Sequence, residues 1–429
     1  MKKFTFRDFM VFIILSAAVA IAYQLPYLRF TFYDQMMDAL ALNNTQIGLL
    51  ATAVNLVSTI SYPIGGILAD KFSMRKLIIV TLGAFVILTV WYAFTTDFVM
   101  LMIIHALYGF FGIATLWSTY LMSVRNLGNE ENQSTMFGSS EATRSVIQTL
   151  CGVAFLAVVG AAMSAAEGFR NLLLVGAGVS AVFLVLAIIF LPDHVEPHSK
   201  QAAQSENAGP EEKYTFVDVF KNPGVWLVTG VIMCCFIVQA TGNGYLTTYT
   251  VQILQIDQSL ASTLGILRSY VIAFLAGYLG GWLLDRFTYK GKVYLVGLAV
   301  AIAMLLGVIF TTPIIPLCVA MTLLLAFLAN IMKATYWSTM DQAGIPNGMT
   351  ALATGLISFI AFIPDFIVPT ISGIWIDEAT LAGTPEIGFY KIFIMLAVFA
   401  AVGIVFSFLL YRRTKKLEAA GEIVVRSRK

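Results

Sequence analysis

The sequence predicts an all-α membrane protein with twelve transmembrane helices in two pseudo-symmetric six-helix bundles. Three observations lead there. The chain of 429 residues is 59% hydrophobic and only 12% charged, whereas soluble domains carry about 25% charged residues. Apolar runs recur along it at a pitch that leaves room for a helix of ~20 residues and a short connector. Two strings of residues in the first half of the chain also return in the second.

The apolar runs fall at roughly 9–30, 46–69, 77–96, 98–123, 138–163 and 171–191, then at 224–250, 259–284, 293–312, 314–340, 349–375 and 388–411. Backbone groups in lipid must find partners within their own segment, so runs of this length form α-helices. The first run follows Met1-Lys2-Lys3 and contains Ala18-Val19-Ala20, in the manner of a secretory signal. It continues apolar to Tyr27 and is expected to stay as an uncleaved first span. Pro26 in that span and Gly242-Asn243-Gly244 in the seventh are expected helix breaks.

One long hydrophilic stretch interrupts the series. It gives an N-terminal six-helix bundle over 1–191, a cytoplasmic linker over 192–222, a C-terminal bundle over 223–411 and a basic tail over 412–429. The end of the linker, Tyr214 to Lys221, alternates apolar and polar residues; it either lies along the membrane surface or is a plain tether. Cys151, Cys234, Cys235 and Cys318 all fall inside apolar runs, which points to packing residues rather than a disulfide framework or a metal site.

Basic residues set the expected orientation. Lys2, Lys3, Arg7, Lys71, Arg75, Lys76, Arg125, Lys200, Lys213, Lys221, Arg286, Lys290, Lys292 and the tail lie on one side of the predicted spans. The opposite loops hold little beyond Arg170, with Arg29 and Lys391 near their edge. The positive-inside rule then places both termini in the cytoplasm. Net charge is only +2, which gives no reason to expect nucleic-acid binding.

The repeats are specific. Ala114-Thr-Leu-Trp117-Ser-Thr119 recurs as Ala334-Thr-Tyr-Trp337-Ser-Thr339, in the fourth span of each half. Gly65-Gly66-Ile-Leu-Ala-Asp70-Lys71-Phe72 recurs as Gly280-Gly281-Trp-Leu-Leu-Asp285-Arg286-Phe287, after each second span. Matched strings at corresponding places argue for parallel repeats about an axis along the membrane normal.

The loop Gly66-x-x-x-Asp70-Lys71-x-Ser73-x-Arg75-Lys76 resembles the signature of the major facilitator superfamily, with Ser73 where a glycine is usual. The likeness covers essentially the whole chain. Arg125-Asn-Leu-Gly-Asn129, the Glu141-x-x-Arg144 pair and Gly388-Phe-Tyr-Lys-Ile-Phe393 are similar to YihN-type permeases, near the organophosphate and nitrate branches. The resemblance implies secondary transport by alternating access in a bacterial inner membrane. It also implies a cytoplasmic latch that does not contact substrate, formed by Gly66, Asp70, Lys71, Arg75, Arg125, Glu141, Arg144, Asp285 and Arg286. Read from the residues alone, Gly65 and Gly66 let helices approach closely. Asp70 accepts hydrogen bonds from a helix N-terminus or pairs with an Arg. That these charges only set topology and interface packing stays open.

A charge at mid-bilayer costs at least ~2.5–3.5 kcal/mol, so each one needs a reason. Arg268 lies within the eighth span, Lys333 within the tenth, Asp365 within the eleventh between Pro364 and Pro369, and Arg29 toward the outer end of the first. Helical rise puts Arg268 and Asp365 at one level, ~25 Å from the cytoplasmic ends of their helices, with Lys333 roughly 15 Å nearer the cytoplasm. One reading is a structural Arg268–Asp365 ion pair with Lys333 snorkelling. The other is that Arg268, with Lys333 or Arg29, attracts a carboxylate, phosphate or sulfonate, and Asp365 is the coupling acid. Tyr23, Gln24, Tyr27, Trp117, Asn243 and Tyr245 are the candidates to complete such a site. Asn55, Tyr108, Gln148, Gln239, Tyr249 and Asn330 are weaker ones, and His105 reads as an interface histidine.

The expectation is a transporter of a small organic anion, coupled to H⁺ symport and monomeric, with no cofactor or metal. Anion exchange and efflux of amphipathic compounds are the competing readings. The sequence offers neither a nucleophile–base pair nor a phosphate-binding P-loop, which argues against an enzyme and against an ATP-driven pump.

Overall fold

The computed structural model of the chain describes residues 5–127, 133–193, 214–284 and 286–423. They are helical nearly throughout. The first part comprises α1 (Phe6–Ala22), α2 (Tyr33–Leu40), α3 (Asn44–Lys71), α4 (Met74–Ala93), α5 (Phe98–Phe110), α6 (Ser118–Leu127), α7 (Gln133–Gly160) and α8 (Ala165–Phe190). The second comprises α9 (Phe216–Lys221), α10 (Pro223–Gln252), α11 (Gln258–Ile266), α12 (Ile272–Leu284), α13 (Lys290–Thr311), α14 (Ile315–Thr335), α15 (Thr350–Ala361), α16 (Ile363–Leu381) and α17 (Pro385–Ala419). Among the described residues, eleven helical stretches are long and apolar enough to cross a membrane. The 17-residue α1 falls just short by itself, and the 3-10 turn Leu25–Phe30 carries it onward.

Several boundaries follow from side-chain chemistry. Thr5, Asn43 and Thr215 each form a capping box with the residue three positions on, satisfying backbone donors that begin α1, α3 and α9. Pro26, in the first turn of Leu25–Phe30, ends regular α geometry as expected. The expected break at Gly242-Asn243-Gly244 does not occur: α10 runs unbroken from Pro223 to Gln252. The helix is apolar and buried on every side, with 78% of its most hydrophobic window enclosed, so neighbours on all faces hold it straight. A break instead separates α15 from α16 at Phe362, two residues before Pro364.

Contacts divide the chain into two compact units, Met1–Ala208 with Asp257–Val271, and Gly209–Ile256 with Ile272–Lys429. The division falls inside the helix α11–α12, at the π turn Leu267–Val271 between them. Within the first unit α3 packs on α5, α4 on α8 and α1 on α7. Within the second α12 packs on α14, α13 on α17 and α10 on α15. The pairings correspond span for span.

The repeated strings explain part of that correspondence. A Cβ at Gly65 would lie 3.0 Å from the Ile113 carbonyl oxygen, and one at its counterpart Gly280 would lie 3.3 Å from the Ile331 side chain. In both units a small residue on the second span lets it press against the fourth. Gly66 and Gly281 have no such role, since a Cβ there would meet nothing within 4 Å. The expectation of close approach therefore holds for Gly65 and fails for Gly66. The second string marks irregular backbone: Trp117 ends the π segment Phe111–Trp117, and Trp337 lies in the 3-10 segment Tyr336–Gln342. Thr115 bonds Thr81 of α4 at 2.6 Å, and the matching Thr335 bonds Tyr294 of α13 at 2.7 Å.

The latch residues behave less symmetrically. Arg75 donates to the Ile188 carbonyl at 2.6 Å, where it caps the C-terminal turn of α8. Lys290, nine residues past Gly281 as Arg75 is past Gly66, donates to the Ser338 carbonyl at 2.8 Å and pairs with Asp341 at 3.1 Å. The backbone of the adjoining segment accepts from Thr414 and Arg413 of α17. The Tyr289 hydroxyl donates to Glu418, and this bond to a carboxylate holds the phenol above its usual range. Lys71 is exposed, and Arg286 stacks on the Trp282 ring with 3.7 Å between guanidinium carbon and ring centre. Asp285 and the side chains of Asp70 and Arg125 lie outside the described residues.

Helix contact in the first unit is closest at Gly109, where a Cβ would collide with the Val54 carbonyl oxygen. Gly109→Ala is therefore expected to destabilise the protein by about 1–3 kcal/mol, the usual cost of overpacking. Gly66→Ala should stay within about 0.5 kcal/mol of the parent. Thermal unfolding of both variants in detergent checks the contrast.

Candidate functional site

The candidate residues of the first unit gather along one line. Tyr23 caps the end of α1, and Tyr27 and Phe30 lie in the 3-10 segment Leu25–Phe30 that follows it. The rings of Tyr23 and Tyr27 stack with centres 6.2 Å apart, and those of Tyr27 and Phe30 with centres 5.6 Å apart. Trp117 meets Tyr23 edge-on at 5.7 Å and leans on Tyr120 at 5.8 Å. The result is an aromatic ladder, with Phe30 at one end and Tyr120 at the other.

One arginine faces the ladder at its Phe30 end and another at its middle ring. The Arg29 guanidinium sits 4.7 Å from the Phe30 ring centre, and that of Arg144 sits 5.8 Å from the Tyr23 ring centre. Both distances are within the range at which a cation is drawn to a ring face. Arg144 also pairs with Glu141, one turn earlier on α7. That pair takes Nη2, while Nε is buried and has no hydrogen-bond partner among the described residues. The edge of the fork that would grip an oxyanion with two bonds is thus half occupied.

Beside the ladder lies a narrow cleft with room for about one water molecule, bounded by Tyr23, Tyr27 and Tyr108 together with Val54, Ser58 and the backbone of Gly109 and Gly112. Its polar edges are fixed. The Tyr27 hydroxyl donates to Asn55 at 2.8 Å, and Tyr108 bonds Thr89 at 2.7 Å.

Gln24 has a positioning part. Its amide donates to the Gln148 carbonyl at 2.9 Å, and the Gln148 amide returns a bond to the Ala20 carbonyl at 3.2 Å. The Gln148 amide thereby meets a carbonyl where α1 gives way to the 3-10 turn, and the Gln24 amide ties that turn to α7. Tyr270 hydrogen-bonds both Gln24 and Thr31. The π turn that carries Arg268, a side chain only 1% exposed, is thereby seated against the same stretch of chain.

In the second unit the candidates are more dispersed. Tyr245 is buried and its hydroxyl donates to the Pro369 carbonyl at 2.6 Å, tying α10 to α16. Asn243 is buried on α10. Gln239, one turn earlier, donates to Asn330 of α14 at 3.2 Å. Lys333, three residues beyond Asn330, is exposed, and Asp365 is half-buried in the first turn of α16.

The structure brings Tyr23, Tyr27 and Trp117 together. Sequence reasoning missed Phe30 and Tyr120. The resemblance placed Arg144 in a cytoplasmic latch; its side chain lies over the Tyr23 ring. Nothing in the local sequence around α7 signals that neighbour.

Comparison with known proteins agrees with this architecture. The Major Facilitator Superfamily profile matches residues 9–369. The chain is 25% identical to the inner membrane protein YqcE of Escherichia coli (strain K12) over 431 residues, covering 98% of each chain. It is likewise 25% identical to YihN, an inner membrane protein of the same organism, over 95% of this chain and 96% of that one. Its fold matches that of a bacterial homologue of the human lysosomal transporter Spinster in an inward-facing, occupied conformation. That match has a TM-score of 0.75 at 15% identity and covers 97% of this chain and 99% of the other. A multi-pass helical protein with paired units, and not an enzyme, the chain belongs to the major facilitator superfamily of secondary transporters.

Proposed function

We propose that the protein carries a small organic anion across the inner membrane by alternating access, with H⁺ as the coupling ion. One observation carries the choice of an anion: Arg144 offers a half-occupied fork beside an aromatic ladder. A guanidinium matches the two oxygens of a carboxylate, phosphate ester or sulfonate. Ring faces accept the carbon skeleton attached to them. Arg268 and Lys333 are the further cationic candidates and Asp365 the coupling acid, with Asn243 and Tyr245 lining the path from the second half. The protein works as a monomer with both termini in the cytoplasm, and the two halves, 1–191 and 223–411, alternate between inward- and outward-facing states. Its similarity to two Escherichia coli inner membrane proteins supports the membrane assigned.

Uptake into proteoliposomes tests this reading, using labelled sugar acids, phosphate esters and sulfonates. A hydrogen bond to a charged group contributes about 1.5–3 kcal/mol, so Arg144→Gln should lower uptake roughly tenfold to a hundredfold at unchanged protein level. Arg268→Ala should abolish uptake. An inward proton gradient should accelerate the parent, and Asp365→Asn should remove that acceleration while leaving exchange of internal for external substrate. Normal uptake in Arg144→Gln, or transport of uncharged amphipathic compounds alone, favours the efflux reading instead.

A further inference from the structure

Ser140 uses its hydroxyl differently from its neighbours. Helical serines and threonines of the first unit typically bond back to the carbonyl four residues earlier, as Ser16 does to Phe12, Ser123 to Thr119, Thr149 to Ser145 and Ser180 to Gly176. Among the described residues, Ser140 of α7 bonds two hydroxyls from other helices instead: Ser16 of α1 at 2.8 Å and Tyr120 of α6 at 2.8 Å. All three side chains are at most 3% exposed. The proton count fixes the direction of the chain. The Ser16 proton goes to the Phe12 carbonyl, so Ser140 donates to Ser16 and Tyr120 donates to Ser140.

The three helices joined here are those that place Tyr23, Trp117 and Arg144. They pack on one another in pairs, α1 on α6, α1 on α7 and α6 on α7. Ser16 lies about two turns before Tyr23, Tyr120 about one turn after Trp117, and Ser140 about one turn before Arg144. The contacts close a circuit that leaves α7 and returns to it. Ser140 holds Tyr120, Tyr120 lies against Trp117, Trp117 meets Tyr23, and Tyr23 carries Arg144 over its ring. Rings in contact tolerate several offsets and tilts, whereas a hydrogen bond admits a narrow range of distance and angle. The bond from Tyr120 to Ser140 is therefore the directional link in this circuit.

We infer that Ser140 is a positioning residue: through Tyr120 and Trp117 it sets where the ladder stands relative to the Arg144 guanidinium. Its consequence for transport rests on the reading above, in which Arg144 and the ladder receive the cargo. Ser140 does not meet the cargo, since its hydroxyl is enclosed between two protein hydroxyls. The two ends of the bond are unequal. Ser140→Ala leaves the buried Tyr120 hydroxyl without its acceptor, whereas Tyr120→Phe leaves Ser140 still donating to Ser16. Ser140→Ala should therefore lower the unfolding temperature more, because it alone strands a buried donor. Both should release Trp117 alike.

The test labels the full-length protein with 5-fluorotryptophan and assigns the Trp117 fluorine resonance by its loss in Trp117→Phe. In Ser140→Ala and in Tyr120→Phe that resonance should move, and the double variant should match the single ones, as for two ends of one bond. Uptake into proteoliposomes is then measured with labelled sugar acids, phosphate esters and sulfonates. The KM of the anion taken up should rise about three- to tenfold in both variants, the weight of one neutral hydrogen bond, at an unchanged maximal rate. A serine that only stabilises the fold predicts another pattern: defects in the order of the unfolding temperatures, with Tyr120→Phe close to the parent. That pattern overturns the inference, and so does a Trp117 resonance indifferent to both substitutions. If the parent takes up none of the anions, the transport reading fails and the resonance alone decides the positioning.

Discussion

A charge or a hydrogen-bonding group withdrawn from water must be met by something. Most of the backbone meets the requirement with regular helix. The exceptions are the places where the chain departs from regularity or keeps an ionised side chain inside, and the candidate site is built from them. Gln148 attends to a carbonyl freed where α1 becomes a 3-10 turn. Arg75 attends to the end of α8. At Arg144 and Arg29 nitrogens stay buried that no described residue meets.

The same requirement shaped what was readable in advance. The number and type of the elements were legible because apolar length alone decides a membrane span, and the paired strings disclosed the twofold organisation. Local chemistry announced Pro26 as a break, since its ring and missing donor act on its own turn. Gly242-Asn243-Gly244 misled for the converse reason. Weak intrinsic helix propensity yields to packing, and α10 is enclosed on all sides.

Side-chain destinations were harder. Tyr23 and Tyr27 stand four residues apart in one short stretch of chain, so their nearness is local. The approach of Arg144 to Tyr23 is a matter of which helices pack together and at what rotation, and one sequence does not encode that locally. The family resemblance assigned Glu141 and Arg144 to a latch. The geometry sets Arg144 against the Tyr23 ring. Gly66 is a similar case: it stands beside Gly65 in the string, yet one faces a neighbouring carbonyl and the other faces open space.

The π turns at Phe111–Trp117 and Leu267–Val271 add a consequence for anyone counting positions along these helices. Each widened turn accommodates extra backbone, so the residues that follow are rotated out of phase with those that precede. Trp117 and Tyr120 therefore point where an ideal helix drawn from Phe98 would not send them. Shortening such a turn by a single residue would reset that phase and swing the indole off its tyrosine neighbour. The irregularity in the main chain is thus an aiming device, set by backbone geometry rather than by side-chain chemistry.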